Sequence, residues 1–176
     1  LRRFQLENWD ENPQLQHFVK SVRDNNGVVH FTGLMSDGRV HSDVNDMLVI
    51  VRYVVGCGLR VCLHFIADGR DTPPQSAQDY INLIQKKLQH EFADGRVFWG
   101  TVSGRYYAMD RNNNTERTML AFNAIANAKS EVITSICSLY KISESFSITE
   151  SLEENLEGSL TINETAYPFL LAVTAQ

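Results

Sequence analysis

LRVCLHFIADGRDTPPQSAQDYINLIQKKL, residues 59–88, reads as a strand, a charged loop and a helix in immediate succession. Residues 59–67 are rich in Val, Leu, Phe and Ile, as a strand covered on both faces should be. ADGRDTPP, residues 67–74, breaks the run with Gly, Pro and charge. Ala77, Tyr80, Ile81, Ile84 and Leu88 then recur at helical spacing, and Pro73 and Pro74 suit a helix start.

The same alternation extends outward on both sides. Residues 28–32 and 96–103 read as two further buried-type strands. Residues 13–25 form a first helical pattern, with Leu15, Phe18, Val19 and Val22 on one face. Val44, Met47, Leu48, Val51 and Val55 mark another, capped by Ser42 and ended near Gly56. Met119, Phe122 and Ala126 mark one that starts at about Thr115. A weaker helical pattern covers residues 132–140. Strands alternating with helices predict a three-layer α/β/α domain with a largely parallel central sheet.

Each predicted strand is followed by a charged loop. SDGRVHSD, residues 36–43, follows the first; ADGRDTPP follows the second; GRYYAMDR, residues 104–111, follows the third. In a parallel sheet, all three loops meet beyond the carboxyl ends of the strands, where open α/β sheets bind ligands. The loops carry His41, Arg70, Asp71, Arg105 and Arg111. Guanidinium forks suit phosphate and carboxylate, so the pattern points to one site for a small polyanion.

Composition narrows the class. The 176 residues are 43% hydrophobic and 21% charged, with a net charge of −5, as expected of one soluble globular domain. No dense basic face suggests nucleic acid. No apolar run suits a membrane span, and no signal peptide opens the chain. Cys57, Cys62 and Cys137 form no C-x-x-C pair, so free thiols in a reducing compartment, the cytoplasm, are expected. All six charged residues after Lys141 are acidic, and residues 142–165 are expected to be solvated and mobile. The Leu1 start and the apolar FLLAV near the end suggest a fragment, or else an ordinary domain with a trimmed start.

Plainer structural roles compete at each candidate. Asp71 could cap the following helix with Arg70 paired to it. Arg105 and Arg111 could make surface ion pairs with Asp110 or Glu116. One of Tyr106 and Tyr107 is expected to pack rather than meet a ligand. His30 and His64 read as core histidines with hydrogen-bond partners, and His17 and His90 as surface residues. No H-E-x-x-H, cysteine pair, G-x-S-x-G elbow or Walker loop is present, and no metal site is expected.

GLMSDGRVHSD, HFIADGRDTPPQSA and VSGRYYAMDR together resemble the cofactor-independent phosphoglycerate mutase family in sequence, order and spacing. The resemblance is firm over residues 13–128 and thinner to residue 168, where NETAYPF is similar to a short family segment. It implies a two-domain enzyme. One domain is phosphatase-like, with a serine nucleophile and two Mn(2+) ions. The other, which residues 1–176 resemble, is a transferase domain that holds the glycerate while phosphate moves between 3-phosphoglycerate and 2-phosphoglycerate by way of a phosphoserine. By resemblance, His41 contacts the transferring phosphoryl group and Asp71 is the general acid/base for the glycerate hydroxyls. Arg70, Arg105 and Arg111 clamp carboxylate and phosphate.

This chain departs from the family pattern at Arg39, where a second glycine is usual, and at Asp43, where histidine is common. The usual glycine implies a close backbone approach or a positive φ, so Arg39 either swings out to solvent or adds a cation to the pocket, and the solvent-facing case is expected. The serine and the manganese ligands have no counterpart here, so the isolated chain is expected to be inactive and to need the missing phosphatase-like domain. Two readings from other classes stay open. One is a stand-alone, non-catalytic module binding phosphoglycerate or another small anion; the other is a decayed gene product without a ligand.

Overall fold

The computed structural model describes residues 9–129 and, beyond them, the backbone of five strands. Helix α1 (Pro13–Asp24) begins where the Asn12 side chain accepts hydrogen bonds from the backbone N–H groups of Gln14 and Leu15, with proline in the first turn. It leads to β1 (Val28–Leu34), α2 (Val44–Gly56) and β2 (Arg60–Ala67). Then come α3 (Ala77–Lys87), the short α4 (Gln89–Ala93) and β3 (Val97–Gly104). The one-turn α5 (Arg105–Ala108) and α6 (Thr115–Asn127) follow.

β1, β2 and β3 lie side by side and parallel, so the fold is α/β with helices flanking a largely parallel sheet. Val61, Leu63, Phe65 and Ala67 of β2 alternate into the main core beside Val51, Val54 and Val55 of α2 and Ile81 and Ile84 of α3. Trp99 of β3, 1% exposed, sits edge-on to Phe65 and against Phe92 at ring separations of 6.0 and 5.4 Å. Tyr107, Ala121 and Ala124 form a second, smaller cluster that seats α6.

The helix starts differ from expectation in two places. Asp43, not Ser42, caps α2, through a hydrogen bond from Asn45 N–H. The Ser42 hydroxyl donates to the Leu34 carbonyl instead, tying the loop to the end of β1. Pro73 and Pro74 lie in the turn before α3 rather than inside it.

The weak helical pattern at residues 132–140 is overturned in its first part: Val132–Ser135 is strand β4. Three consecutive β-branched residues there lose side-chain freedom in a helix and suit a pleated surface. Residues 136–140 lie outside the described residues. The last described strand, β8 (Leu170–Thr174), enters the sheet between β3 and β4, antiparallel to β3 and parallel to β4. Within and just beyond the acidic segment, the backbone forms a second, antiparallel sheet of β5 (Ser147–Thr149), β6 (Ser159–Ile162) and β7 (Thr165–Pro168).

The sheet has one irregularity. Leu63 pairs with Trp99 but His64 pairs with Thr101, so Gly100 is an extra, bulged residue in β3. A Cβ there would stand 2.5 Å from Cys62 Sγ and 2.7 Å from His64 Cε1. Both side chains therefore occupy space that only glycine leaves open. His64 is buried, and burial together with nearby His30 pushes its pKa down to about 4, so the ring is neutral at pH 7. Burial raises the Cys62 thiol to about 11. His30 is exposed, contrary to its reading as a core residue, because β1 is the edge strand. Gly100→Ala should destabilise the chain by about 1–3 kcal/mol, the usual cost of overpacking. Urea denaturation checks this, and an unchanged midpoint would mean that the bulge can give way without cost.

Candidate functional site

Parallel strands bring the three charged loops to one edge of the sheet, and the centre of the edge is Asp68. It directly follows β2 and is 3% exposed. One carboxylate oxygen accepts the backbone N–H groups of Arg70 and Asp71 at 3.2 and 3.0 Å, which folds the DGRD turn back on itself. The other accepts the Ser36 hydroxyl from the first loop at 2.5 Å. Arg105, at the start of α5 and 6% exposed, donates to Asp68 at 2.7 Å and to Asp71 Oδ2 at 2.8 Å. Burial alone would raise the Asp68 pKa. Hydrogen bonds from Ser36, Asp71 N–H, Arg105 and Arg70 N–H outweigh it, and the pKa lies below its ordinary value of 3.8. Burial works against the Arg105 charge too, but Asp71 and Asp68 more than offset it and raise its pKa.

His41 joins from the first loop. Its Nε2 lies 3.7 Å from Asp71 Oδ2 and 3.4 Å from Arg105 Nη2. Gly38 lets this loop close on the second, since a Cβ there would stand 3.0 Å from Asp71 Cβ and 3.3 Å from Asp68 Oδ2. His41, Asp71 and Arg105 are thus in mutual contact although they come from three different loops. Asp71 is neither a helix cap nor the partner of Arg70.

Beside this cluster lies a cleft of about 340 Å³ lined by Arg70, Arg105, Tyr106, Met109, Asp110, Arg111, Asn112 and Arg117. Its four arginines are not equivalent. Arg105 is held by two aspartates. Arg117 lies 3.4 Å from Asp110 and stacks over the Tyr106 ring at 3.7 Å. Arg70 and Arg111 are exposed, and neither makes an ion pair among the described residues. Two uncommitted guanidinium groups facing one polar cleft can each take a carboxylate or a phosphate as a bidentate partner. Tyr107 packs against α6 while Tyr106 faces the cleft.

The sequence reading missed Asp68, Ser36 and Arg117. Asp68 carried a signal, as a carboxylate at the very end of a buried strand needs partners. Arg117 lies in the first turn of a predicted helix, where nothing local separates a cleft residue from a surface one.

The two departures from the family pattern meet each other. Arg39 adopts a φ of 57°, and its side chain, 67% exposed, pairs with Asp43 at 2.7 Å. It does not line the cleft and carries the backbone strain that glycine would avoid.

Fold and site together define an α/β domain with an arginine-lined cleft at the carboxyl ends of parallel strands. The chain belongs to the BPG-independent PGAM N-terminus family, whose sequence profile matches residues 3–165. The 2,3-bisphosphoglycerate-independent phosphoglycerate mutase of Anaplasma phagocytophilum is 46% identical over 118 residues, which is 67% of this chain and 23% of that protein. The protein of the same name from Ehrlichia canis is 41% identical over 121 residues, 69% of this chain and 24% of that protein. A phosphoglycerate mutase of Leishmania mexicana of known structure superposes on 94% of this chain and 29% of its own, with a TM-score of 0.67 and 20% identity, a likeness of fold. The chain spans about a quarter of the length of the curated relatives it matches.

Asp68→Asn should remove about 3 kcal/mol at pH 7, the lower range for breaking a buried ion pair. The folded pKa of Asp68 is depressed, so its contribution is present above about pH 4 and is lost as pH falls through the folded value. The gap between wild type and variant should therefore close in acid. Urea titrations from pH 7 to pH 3 check this; a gap that stays constant would remove Asp68 from the acid transition.

Proposed function

We propose that this chain is the substrate-binding part of a cofactor-independent phosphoglycerate mutase that interconverts 3-phosphoglycerate and 2-phosphoglycerate. The observation that carries the reading is the division among the cleft arginines: Arg70 and Arg111 are uncommitted among the described residues, beside the group of buried Arg105, half-buried Asp71 and exposed His41. A phosphoglycerate carries a carboxylate and a phosphate on a three-carbon frame, and two separated guanidinium forks match that pair of anions.

In this reading, Arg70 and Arg111 hold the anionic groups. Arg105 grips Asp71 by Oδ2, which leaves Oδ1 without a hydrogen bond among the described residues. That oxygen can take the proton of the glycerate hydroxyl whose oxygen attacks phosphorus, and a proton held there passes to the glycerate oxygen that phosphorus leaves. His41, on the same carboxylate, faces the transferring phosphoryl group. The phosphoryl group passes to a serine of the remaining part of the enzyme and then back to the other hydroxyl of the bound glycerate, two easier steps in place of one. Positioning and charge neutralisation account for this chain's share of the rate.

The two manganese ions implied by the family do not fit the described residues of this chain. Manganese favours oxygen donors. Among the described residues, the one cluster of three or more histidine, cysteine or acidic donors is His30, Cys62 and His64, a nitrogen–sulfur set. Asp68 and Asp71 are already held by Arg105.

Titration calorimetry of 3-phosphoglycerate into the chain tests the cleft. Arg70→Ala and Arg111→Ala should each weaken binding at least about tenfold, near 1.4 kcal/mol, while Arg39→Gly should change it less than about twofold. Full affinity in both alanine variants would move the anion site elsewhere. In a full-length enzyme, Asp71→Asn keeps the shape of the side chain but cannot take the proton. The expected loss falls on kcat by about 100-fold or more with KM little changed, and steady-state kinetics that show a normal kcat would remove Asp71 from proton transfer.

A further inference from the structure

A second cluster lies outside the anion cleft. His30 of β1 and Cys62 of β2 are opposite one another in the parallel ladder, and His64 is two residues beyond Cys62. Period-two alternation puts Cys62 and His64 on one face of the sheet. His30 Nδ1 lies 2.8 Å from His64 Nε2, with the rings stacked, and Cys62 Sγ lies 3.7 Å from the same Nε2. All three donor atoms fall within 4.8 Å of one another.

We propose that His30, Cys62 and His64 form a metal site of the two-nitrogen, one-sulfur class that takes Zn(II). Tetrahedral zinc bonds of about 2.0–2.3 Å place neighbouring donors roughly 3.3 Å apart for two nitrogens and roughly 3.6 Å apart for nitrogen and sulfur. The nitrogen–sulfur spacing of 3.7 Å already matches, and the nitrogen–nitrogen spacing of 2.8 Å opens to the required value by small side-chain rotations that admit the ion. Thr101 Oγ1 lies 2.9 Å from His64 Nδ1. When it accepts the Nδ1 proton, it leaves the Nε2 lone pair aimed at the cluster, the support a ligating histidine ordinarily has. The Gly100 bulge supplies the room, because any Cβ there would collide with both Cys62 and His64.

The exposed ring of His30 gives an ion access from the sheet edge and leaves a fourth position for water. On binding, the Cys62 thiol gives its proton to solvent. His30 shifts its proton from Nδ1 to the solvent-facing Nε2, so Nδ1 becomes a ligand. No oxidation state changes. The donor set is too soft for magnesium or manganese and suits zinc. The ion would pin the edge strand β1 to β2, and the site stands independently of the phosphoglycerate reading.

Cobalt(II) titration of the reduced, metal-free chain tests the site, with cobalt as the spectroscopic stand-in for zinc. One cobalt per chain should bind with a thiolate-to-metal charge-transfer band, and zinc, but not magnesium, should displace it. The band should vanish in Cys62→Ser and persist when Cys57 and Cys137 are both changed to Ser. Thr101→Val should weaken binding roughly tenfold, the lower range for losing an orienting partner. His30→Ala, an exposed change that the fold can tolerate, should weaken it by at least as much, and it decides the question if Cys62→Ser does not fold. Absence of a thiolate band, its survival in Cys62→Ser, or wild-type affinity in His30→Ala would each overturn the proposal and leave a hydrogen-bonded histidine pair.

Discussion

The Arg105 guanidinium lies 2.7 and 2.8 Å from the carboxylates of Asp68 and Asp71, and the group is almost out of solvent. It joins the end of β3 to the loop after β2, while Ser36 draws the loop after β1 onto the same aspartate. Taking such charges from water costs several kcal/mol for each ion. The cost is met because Asp68 has four donors, two of them backbone N–H groups of its own turn. That connected network joins residues of three separate loops in one arrangement at the sheet edge. A fully satisfied buried network is also rigid and geometrically unique.

The network assigns different work to chemically identical residues. Arg105 is spent on architecture and on gripping Asp71, and Arg117 is anchored by Asp110 and Tyr106. Arg70 and Arg111 line the same cleft without such partners among the described residues. The cleft is therefore preorganised while two of its arginines stay exposed, since Arg105 and Arg117 are held by aspartates. Arg39 shows the opposite case. Its charge is local, paired with Asp43 on the surface, and its cost is a left-handed backbone at one position.

Farther down the same strands, the polar face of the sheet depends on a similar economy of space. Cys62 and His64 fill the gap above Gly100, and Thr101 and His30 satisfy the two nitrogens of His64. The bulge in β3 thus serves a polar cluster rather than interrupting the core, since Trp99 and Val102 on either side of it stay buried.

Much of this was legible along the chain. Helix and strand periodicities are local, so the three parallel strands and the helices α1, α2, α3 and α6 follow from spacing alone. A charged loop after each strand then suffices to place His41, Asp71 and Arg105 at one edge, because parallel strands all end on the same side. The pairings were not legible. The commitment of Arg105 depends on carboxylates more than thirty residues away, Asp68 and Asp71, and no local pattern encodes that separation. The strand at Val132–Ser135 and the insertion of β8 between β3 and β4 depend likewise on partners distant in sequence. His30 and His64 looked like two unrelated core residues until the register of β1 on β2 set them side by side. Short-range periodicity determined the elements and the edge at which they meet; hydrogen bonding across the fold and burial decided which charges at that edge are held by other residues and which stay exposed.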